Sequence, residues 1–244
     1  MTTLVTGATG ATGKLLVEQL LDRGGRVKAI VRSADRVPDS LAGRSGLSLI
    51  EASVLDLTDD EMVEHLGGCT AVASCLGHNL TFKGVFGHPR RLVTEATRRL
   101  CRATKAANRD GKVKFVLMNT TGNRNRDLDE PISFAQKCVI GLLRCALPPH
   151  ADNEDAADFL RVEIGQDDRV IDWSVVRPDG LTNEDEVSDY DLHPSPTRSA
   201  IFDAGKTSRI NVAHFMADLI TDPEIWDRWR GKMPVIYNRE TGRD

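Results

Sequence analysis

The segment Thr6-Gly7-Ala8-Thr9-Gly10-Ala11-Thr12-Gly13 decides how this chain folds. It follows a short apolar stretch and opens the segment 13–23, in which leucines recur at helical spacing. A GxxGxxG spacing between a strand and a helix is typical of a turn that binds the pyrophosphate of a dinucleotide. The glycines permit a tight turn and a close approach of backbone to phosphate, and the helix N-terminus adds N–H groups and partial positive charge. A glycine-rich turn without a ligand is the alternative.

Strands and helices alternate along the rest of the chain. The predicted strands are 3–6, 27–31, 47–51, 71–76, 114–118, 172–176 and 235–237, and the predicted helices are 13–23, 58–66, 89–108, 151–161, 211–220 and a short one from 222. Thr58 and Glu61 have the spacing of a capping box, and Asn211 is expected to cap the helix that it begins. This alternation predicts an α/β fold of the Rossmann type. Its mostly parallel, doubly wound sheet has helices on both faces.

Two polar stretches, 121–131 and 181–209, carry no clear periodicity. Both follow the carboxyl ends of predicted strands, where open α/β sheets bind ligands. We therefore expect a single domain over 1–244, with a small substrate-side region formed by loops around 121–150 and 181–210. Cys138 and Cys145 lie seven residues apart on the apolar stretch 134–147, which can line a substrate cleft or belong to the core.

The composition excludes several classes of partner. The chain has 244 residues, 40% of them apolar, and a net charge of −4, so no global basic excess points to nucleic acid. The arginine-rich helix 89–108 is interpreted as a solvated face opposite an apolar stripe of Val93, Ala96, Leu100 and Thr104, with nucleic-acid binding as the alternative. No apolar run approaches the roughly 18 residues of a membrane span, and the first residues do not resemble a secretory signal.

The cysteines and histidines indicate a reduced protein without a metal. Five cysteines are present, an odd number with no CxxC pair, and the six histidines form neither HxxxH nor HExxH. We therefore expect reduced thiols, a cytoplasmic location and no metal site.

The end of the second strand predicts which dinucleotide binds. Sites that prefer NAD normally carry an acidic residue here, which accepts hydrogen bonds from the ribose 2′-hydroxyl. This chain has Arg32 instead, with Arg36 one helical turn later. Two guanidinium groups suit a 2′-phosphate, so NADP is expected in preference to NAD. The alternative is that both arginines are solvated loop residues.

Three segments together resemble the atypical short-chain dehydrogenase/reductase superfamily. They are TGATGATG at 6–13, AIVRSADR at 29–36 and DWSVVRPDGLT at 172–182. The members that the chain resembles most are NmrA-like proteins and reductases of the biliverdin and flavin type, over roughly residues 3–222.

The resemblance implies a role for several positions. The pyrophosphate would be held by Gly7, Thr9, Gly10, Ala11, Thr12 and Gly13, and the 2′-phosphate by Arg32 and Arg36. Ser53 and Val54 would take the adenine, whereas Leu76 and Gly77 would pass along the ribose, which His78 is also expected to approach. Asn119 and Thr120 would lie near the nicotinamide, and Pro178, Gly180 and Leu181 near its amide.

The chain departs from the superfamily in its proton relay. Standard members use Tyr-x-x-x-Lys, but neither Tyr190 nor Tyr237 is followed by lysine at the fourth position. Asn153 occupies the place where relatives often carry lysine or histidine, and an amide is no general acid near neutral pH. Thr120 can hold a substrate carbonyl or cap the segment after the fifth strand. His150 is either a proton donor or a solvated loop residue.

Two functions remain open from the sequence. The first is an NADPH-dependent reductase, which transfers hydride to a small flavin-, quinone- or carbonyl-type acceptor without a tyrosine relay. The second is a non-catalytic dinucleotide sensor of the NmrA-like type, which the missing relay favours. An epimerase is less favoured because epimerases usually keep the tyrosine. The expected partner is a small-molecule substrate, with neither nucleic acid nor membrane, and the protein is a monomer or homodimer.

Overall fold

The computed structural model describes residues 1–78, 89–107, 111–128, 130, 139, 141 and 148–239. Its strands are β1 Thr2–Thr6, β2 Arg26–Val31, β3 Leu47–Glu51, β4 Ala71–Ser74, β5 Val113–Met118, β6 Ile171–Pro178, β7 Gly180–Thr182, β8 Tyr190–His193, β9 Lys206–Ser208 and β10 Val235–Asn238. Its helices are α1 Gly13–Asp22, α2 Asp59–Leu66, α3 Leu92–Ala107, α4 Pro148–Asp158, α5 Arg209–Thr221 and α6 Pro223–Trp229, with a 3₁₀ turn at Ala34–Arg36 and a π turn at Phe159–Ile164. The predicted strands and helices are all present.

The main sheet has eight strands in the order β3-β2-β1-β4-β5-β6-β10-β8. Its pairs are parallel except for β8, which lies antiparallel to β10 at one edge. The strand order reverses between β1 and β4, which pair with Thr6 opposite Ser74. The predicted doubly wound Rossmann-type fold is confirmed, and the reversal creates a crevice at the carboxyl ends of these two strands.

The sheet is buried on both faces, as its apolar strands require. Successive residues contribute to opposite sides. Leu4 packs with the layer of α2, α3 and α4, whereas Val5 packs with the layer of α1, α5 and α6. The stripe predicted on α3 is buried, since Val93, Ala96, Leu100 and Thr104 are all inaccessible. The helices are therefore fixed against the sheet, and the loops at its carboxyl edge rest on a rigid base.

Helix caps test the local predictions. Thr58 and Glu61 form the predicted capping box, and Asp222 caps α6. The prediction for Asn211 is wrong. Ser208 caps α5 by accepting a hydrogen bond from the Asn211 N–H, and the buried Asn211 side chain bonds the Ser188 hydroxyl at 2.9 Å and Asn238 Oδ1 at 2.8 Å.

The stretch 181–209 contains three short strands that the sequence did not indicate. β7 and β9 form a separate parallel pair, and β8 joins the main sheet. The apolar stretch 134–147, with its two cysteines, lies outside the described residues apart from 139 and 141. No helix in the described ranges is long and apolar enough to cross a membrane.

Candidate functional site

The glycine turn crosses the end of β4 at the point where the strand order reverses. Gly7 has a φ of +75°, and a Cβ there would lie 2.5 Å from the Cys75 carbonyl oxygen. A Cβ on Gly13 would overlap the Gly7 carbonyl, because the start of α1 folds back onto the turn. Side chains are therefore excluded at both positions, and the turn can present its backbone to a ligand.

The N-terminus of α1 is left open by the neighbouring side chains. Thr12 occupies the N-cap without a side-chain hydrogen bond, and the first turn carries no acidic residue. Gly10 and Ala11 are exposed beside it. Thr12 itself is buried, so Thr9, which is half-buried, is the hydroxyl of this turn that a ligand can reach. These features suit the phosphates of a dinucleotide.

Arg32 and Arg36 lie just beyond the carboxyl end of β2. Both side chains are exposed, and neither forms an ion pair with another described residue. The Ala52 N–H donates to the Val31 carbonyl at 2.8 Å, so the loop after β3 begins beside Arg32. The two guanidinium groups and this loop therefore form one end of the crevice.

The loop after β3 corrects part of the adenine prediction. Val54 is 5% exposed and packs into the core with α2 and α3, so its side chain is withdrawn from the crevice. Ser53 is half-buried, and its carbonyl accepts the Asp56 N–H at 2.9 Å. Of this pair, only the Ser53 side chain is accessible to an adenine.

His78 is also withdrawn from the crevice, contrary to the prediction that it approaches a ribose. Its side chain is 4% exposed, and its Nε2 lies 2.7 Å from the Asp152 carboxylate. Asp152, on α4, also accepts the N–H groups of Val93 at 2.8 Å and Thr94 at 2.9 Å. The carboxylate therefore caps α3 and holds His78. Leu76 is half-buried and Gly77 is exposed, which leaves their backbone accessible to a ribose.

The side chain of Asn119 is committed to internal hydrogen bonds. Its Nδ2 donates to the Asn153 carbonyl at 2.8 Å, and its Oδ1 accepts from the Thr120 N–H and from Asn123. Asn119 therefore joins the end of β5 to α4. Its amide oxygen already accepts two internal hydrogen bonds, and its predicted contact with a cofactor stays a prediction. Asn153, at the position proposed for catalysis, enters this network through its main chain.

Thr120 and His150, two separately proposed candidates, lie near each other. Thr120 Oγ1 accepts the Gly122 N–H at 3.3 Å, which is the capping role considered above, and its hydroxyl proton is still available as a donor. A Cβ on Gly122 would lie 3.3 Å from His150 Cε1 and 3.7 Å from Thr120 Oγ1. A hydroxyl and an imidazole thus border the same small residue beyond β5.

The sequence signature Arg-Pro at the end of β6 encodes a buried anchor. Arg177 is inaccessible to solvent, and its guanidinium forms two bonds to the Glu130 carboxylate, at 2.7 and 3.2 Å. Its other bonds go to carbonyls of Asn123, Met233 and Pro194. The five N–H groups of Arg177 therefore tie the loop after β5 to the segment that follows β8 and to the segment that precedes β10.

The backbone after Arg177 forms the next part of the crevice wall. Pro178 is buried, and its carbonyl accepts the Thr121 N–H at 3.0 Å. The Gly180 N–H donates to the Gly205 carbonyl at 3.0 Å, which begins the pairing of β7 with β9 and leaves Leu181 half-buried. Asp179 lies between Pro178 and Gly180. Burial raises the pKa of its carboxyl group, although the carboxylate accepts the Gly205 N–H at 2.9 Å.

Both tyrosines are held away from an activated state. Burial, followed by the charge of Asp218, raises the pKa of Tyr190, whose hydroxyl lies 2.9 Å from His214 Nδ1 and 3.1 Å from Asp218. Burial and then the charge of Asp179 raise the pKa of Tyr237. A relay tyrosine needs a lowered pKa, so neither residue has that property.

A cleft of about 730 Å³ lies between β8, β9 and the end of β10. Most of its lining residues come from the segment predicted to form a substrate-side region. They include Asp191, His193, Arg198 and Lys206, with Tyr237 from β10. Cys101 is a buried free thiol and Cys75 a half-buried one, and both lie outside this cleft. Desolvation of the thiol raises the pKa of Cys75 to about 12. In the described residues, no group of three or more histidine, cysteine or acidic side chains could hold a metal.

Comparison with known proteins identifies the family. Residues 7–223 match the family described as NAD(P)H-binding. The chain belongs to this NAD(P)H-binding family. The predicted membership among atypical short-chain dehydrogenases/reductases is confirmed, whereas the NmrA-like subgroup stays a prediction. The family match supports a nicotinamide cofactor, and the geometry of the glycine turn suits the phosphates of such a cofactor.

An uncharacterised chloroplastic protein from Arabidopsis thaliana is 26% identical over 193 residues, which are 79% of this chain and 64% of that protein. The chain therefore spans slightly less than two thirds of that relative. A wide-type short-chain dehydrogenase/reductase from Veillonella parvula in complex with NADP gives a TM-score of 0.69 at 15% identity, covering 98% of this chain and 95% of that one. An anaerobillin reductase from Escherichia coli O157:H7 also gives 0.69, at 17% identity over 100% of both chains. At these identities the solved structures share the fold.

Sequence reasoning missed two residues that shape the site. Asp152 looked like one acidic residue among several on a predicted helix, and Glu130 fell in a stretch without periodicity. Both are buried carboxylates that accept hydrogen bonds from distant segments. The hydrogen-bond donors to these two carboxylates come from segments that tertiary packing brings together, so no local sequence pattern predicts them.

Proposed function

We propose that this protein is an NADPH-dependent reductase of a small organic acceptor of the flavin, quinone or carbonyl type. The observation that carries the proposal is the open crevice end, where Arg32 and Arg36 follow β2 in place of an acidic residue and form no ion pair with any residue that the structure describes. A 2′-phosphate would be bound there by charge-assisted hydrogen bonds. The glycine turn and the N-terminus of α1 would hold the pyrophosphate, and Ser53 the adenine.

The remaining predicted positions would hold the nicotinamide half. The backbone of Leu76 and Gly77 would border the ribose, and that of Pro178, Gly180 and Leu181 would meet the amide. When bound, NADPH supplies the hydride, so the protein has to supply orientation and exclusion of water. Thr120 would direct its hydroxyl proton to an acceptor carbonyl. A flavin- or quinone-type acceptor takes its proton from water, which removes the need for a relay tyrosine.

The test is the oxidation of NADPH, followed at 340 nm, with a panel of flavins, quinones and carbonyl compounds. We expect turnover with at least one class, and a slower rate with NADH at the same subsaturating concentration. The variant Arg32→Glu should lose NADPH affinity relative to NADH, because a carboxylate repels the 2′-phosphate. NADPH binding without turnover of any acceptor would contradict the assignment as a reductase.

A non-catalytic sensor is the second candidate, and one observation favours it. Several polar side chains at the carboxyl edge, those of His78, Asn119 and Asp152, are committed to bonds inside the protein. Such a rigid edge suits a protein that binds a dinucleotide without transforming it. The same panel separates the two candidates, since a sensor binds NADPH and oxidises none of it.

A further inference from the structure

Arg99 makes contacts that differ from those of the other cations on α3. Its guanidinium donates to three backbone carbonyls of the loop after β3, those of Val54 at 3.3 Å, Leu55 and Leu57. Asp59, which opens α2, lies 3.4 Å away. The side chain is 18% exposed, so these bonds form at the margin of the core.

The neighbouring cations bind surface carboxylates instead. Arg91 pairs with Asp155 at 2.7 Å, and Arg98 pairs with Glu163 at 3.0 Å. The Arg102 side chain is 67% exposed, and its guanidinium lies 3.6 Å from the Asp59 carboxylate. Exposed pairs of this kind contribute little to stability. The Arg99 guanidinium differs from these cations because it binds backbone carbonyls. Its hydrogen bonds fix the conformation of the loop after β3.

The loop held by Arg99 is the one that borders the arginine end of the crevice. The Ala52 N–H is bonded to the Val31 carbonyl, immediately before Arg32. Beyond it, Ser53 accepts the Asp56 N–H, which turns the chain so that the next carbonyls face α3. A planar guanidinium fixes several acceptors at once, which an ammonium group does less well. The position of Ser53 is thereby coupled to Arg99.

We propose that Arg99 is a positioning residue for the adenosine half of NADPH, acting through the loop 53–57 without touching the cofactor. This inference rests on the proposed function, because it takes the crevice end at Arg32 and Ser53 as the adenosine subsite. It predicts that loss of the Arg99 guanidinium weakens recognition of the adenosine 2′-phosphate half and spares the nicotinamide half.

The test compares three ligands by titration calorimetry or fluorescence: NADPH, 2′,5′-ADP, which lacks the nicotinamide half, and reduced nicotinamide mononucleotide, which lacks the adenosine half. For Arg99→Met we expect the dissociation constants of NADPH and 2′,5′-ADP to rise by at least about tenfold. The constant for the mononucleotide should change by less than about twofold. Arg99→Lys should be intermediate, and the matched control Arg102→Met should resemble the wild type.

Each other outcome is decisive. Wild-type binding of 2′,5′-ADP by a folded Arg99→Met variant would overturn the inference alone, and so would an equal loss for all three ligands. If Arg99→Met does not fold, Arg99→Lys provides the same comparison. Failure of the wild type to bind NADPH would overturn the proposed function and this inference with it.

Discussion

Arg177 shows how much a single buried side chain holds together. It contributes a full set of five hydrogen bonds, and its partner Glu130 is itself buried. Removing one member of a buried pair leaves the other charge without compensation, which typically costs about 3–5 kcal/mol. We therefore predict that Arg177→Met lowers the free energy of unfolding by that amount, measured by urea denaturation.

The control for this prediction is Arg91→Met, which breaks the exposed pair with Asp155 and should cost less than about 1 kcal/mol. The double variant Arg177→Met with Glu130→Leu should be more stable than Arg177→Met alone, since no charge is then left buried. Equal losses in Arg177→Met and Arg91→Met would show that the anchor is not structural.

Asp152 should make stability depend on pH in the acidic range. Burial alone would raise its pKa, but hydrogen bonds from His78, Thr94 and Val93 outweigh burial and lower the pKa below 3.8. A lowered pKa means that the carboxylate stabilises the fold above pH 3.8, and that this contribution is lost as the pH falls through the lower folded-state value. Asp152→Asn should cost about 2–4 kcal/mol at pH 7, and its deficit relative to the wild type should shrink below about pH 4.

Asp179 provides the control of opposite sign. Burial raises its pKa above 3.8, so its stabilising contribution is complete below that pH and is lost as the pH rises through the folded-state value. Asp179→Asn should therefore raise the melting temperature at pH 7. Two aspartates that respond alike at pH 7 would contradict this account of their surroundings.

At the scale of elements, the turn between β1 and α1 depends on Gly13. A Cβ there would overlap the Gly7 carbonyl, so Gly13→Ala must shift the start of α1 away from the turn. We predict that this variant weakens NADPH binding by at least about tenfold. Gly111→Ala is the control, because, apart from its chain neighbours, no atom of the described residues lies within 4 Å of a Cβ at that position. Unchanged binding by Gly13→Ala would show that the turn does not hold the pyrophosphate.

The elements also show what a sequence can predict. The alternation of apolar strands with amphipathic helices is local, and it sufficed for the sheet, for the α3 stripe and for the Thr58 cap. The short strands β7, β8 and β9 were missed because their pairing partners are distant in sequence. Asn211 was misassigned since Ser208, three residues earlier, caps the same helix.

Among the site residues, too, those set by local conformation could be predicted and those set by tertiary packing could not. Gly7 and Gly13 could be predicted because their conformations follow from a local turn. His78, Asn119 and Val54 were expected at the cofactor by their order in the chain, yet tertiary packing turns their side chains into the protein. Order along a strand end predicts which backbone borders the crevice, and it does not predict which side chains face it.

At the scale of the whole molecule, both core layers share one eight-stranded sheet. If the helices on one face of the sheet came away, the strands would lose half of their packing, and the helices on the other face would lose the support of those same strands. We propose that the chain forms one domain, and we predict a single cooperative transition in calorimetry, with equal calorimetric and van't Hoff enthalpies. Two resolved transitions would contradict this prediction.

The measurement that tests the central claim most directly is the ratio of the dissociation constants for NADH and NADPH, determined by calorimetry on the wild type and on Arg32→Glu. The claim is that the crevice between β1 and β4 binds NADPH through the glycine turn, with Arg32 selecting the 2′-phosphate. It predicts tighter binding of NADPH than of NADH by the wild type, and a loss or reversal of this preference in the variant. Equal affinity for both dinucleotides, or the same preference in both proteins, would contradict it.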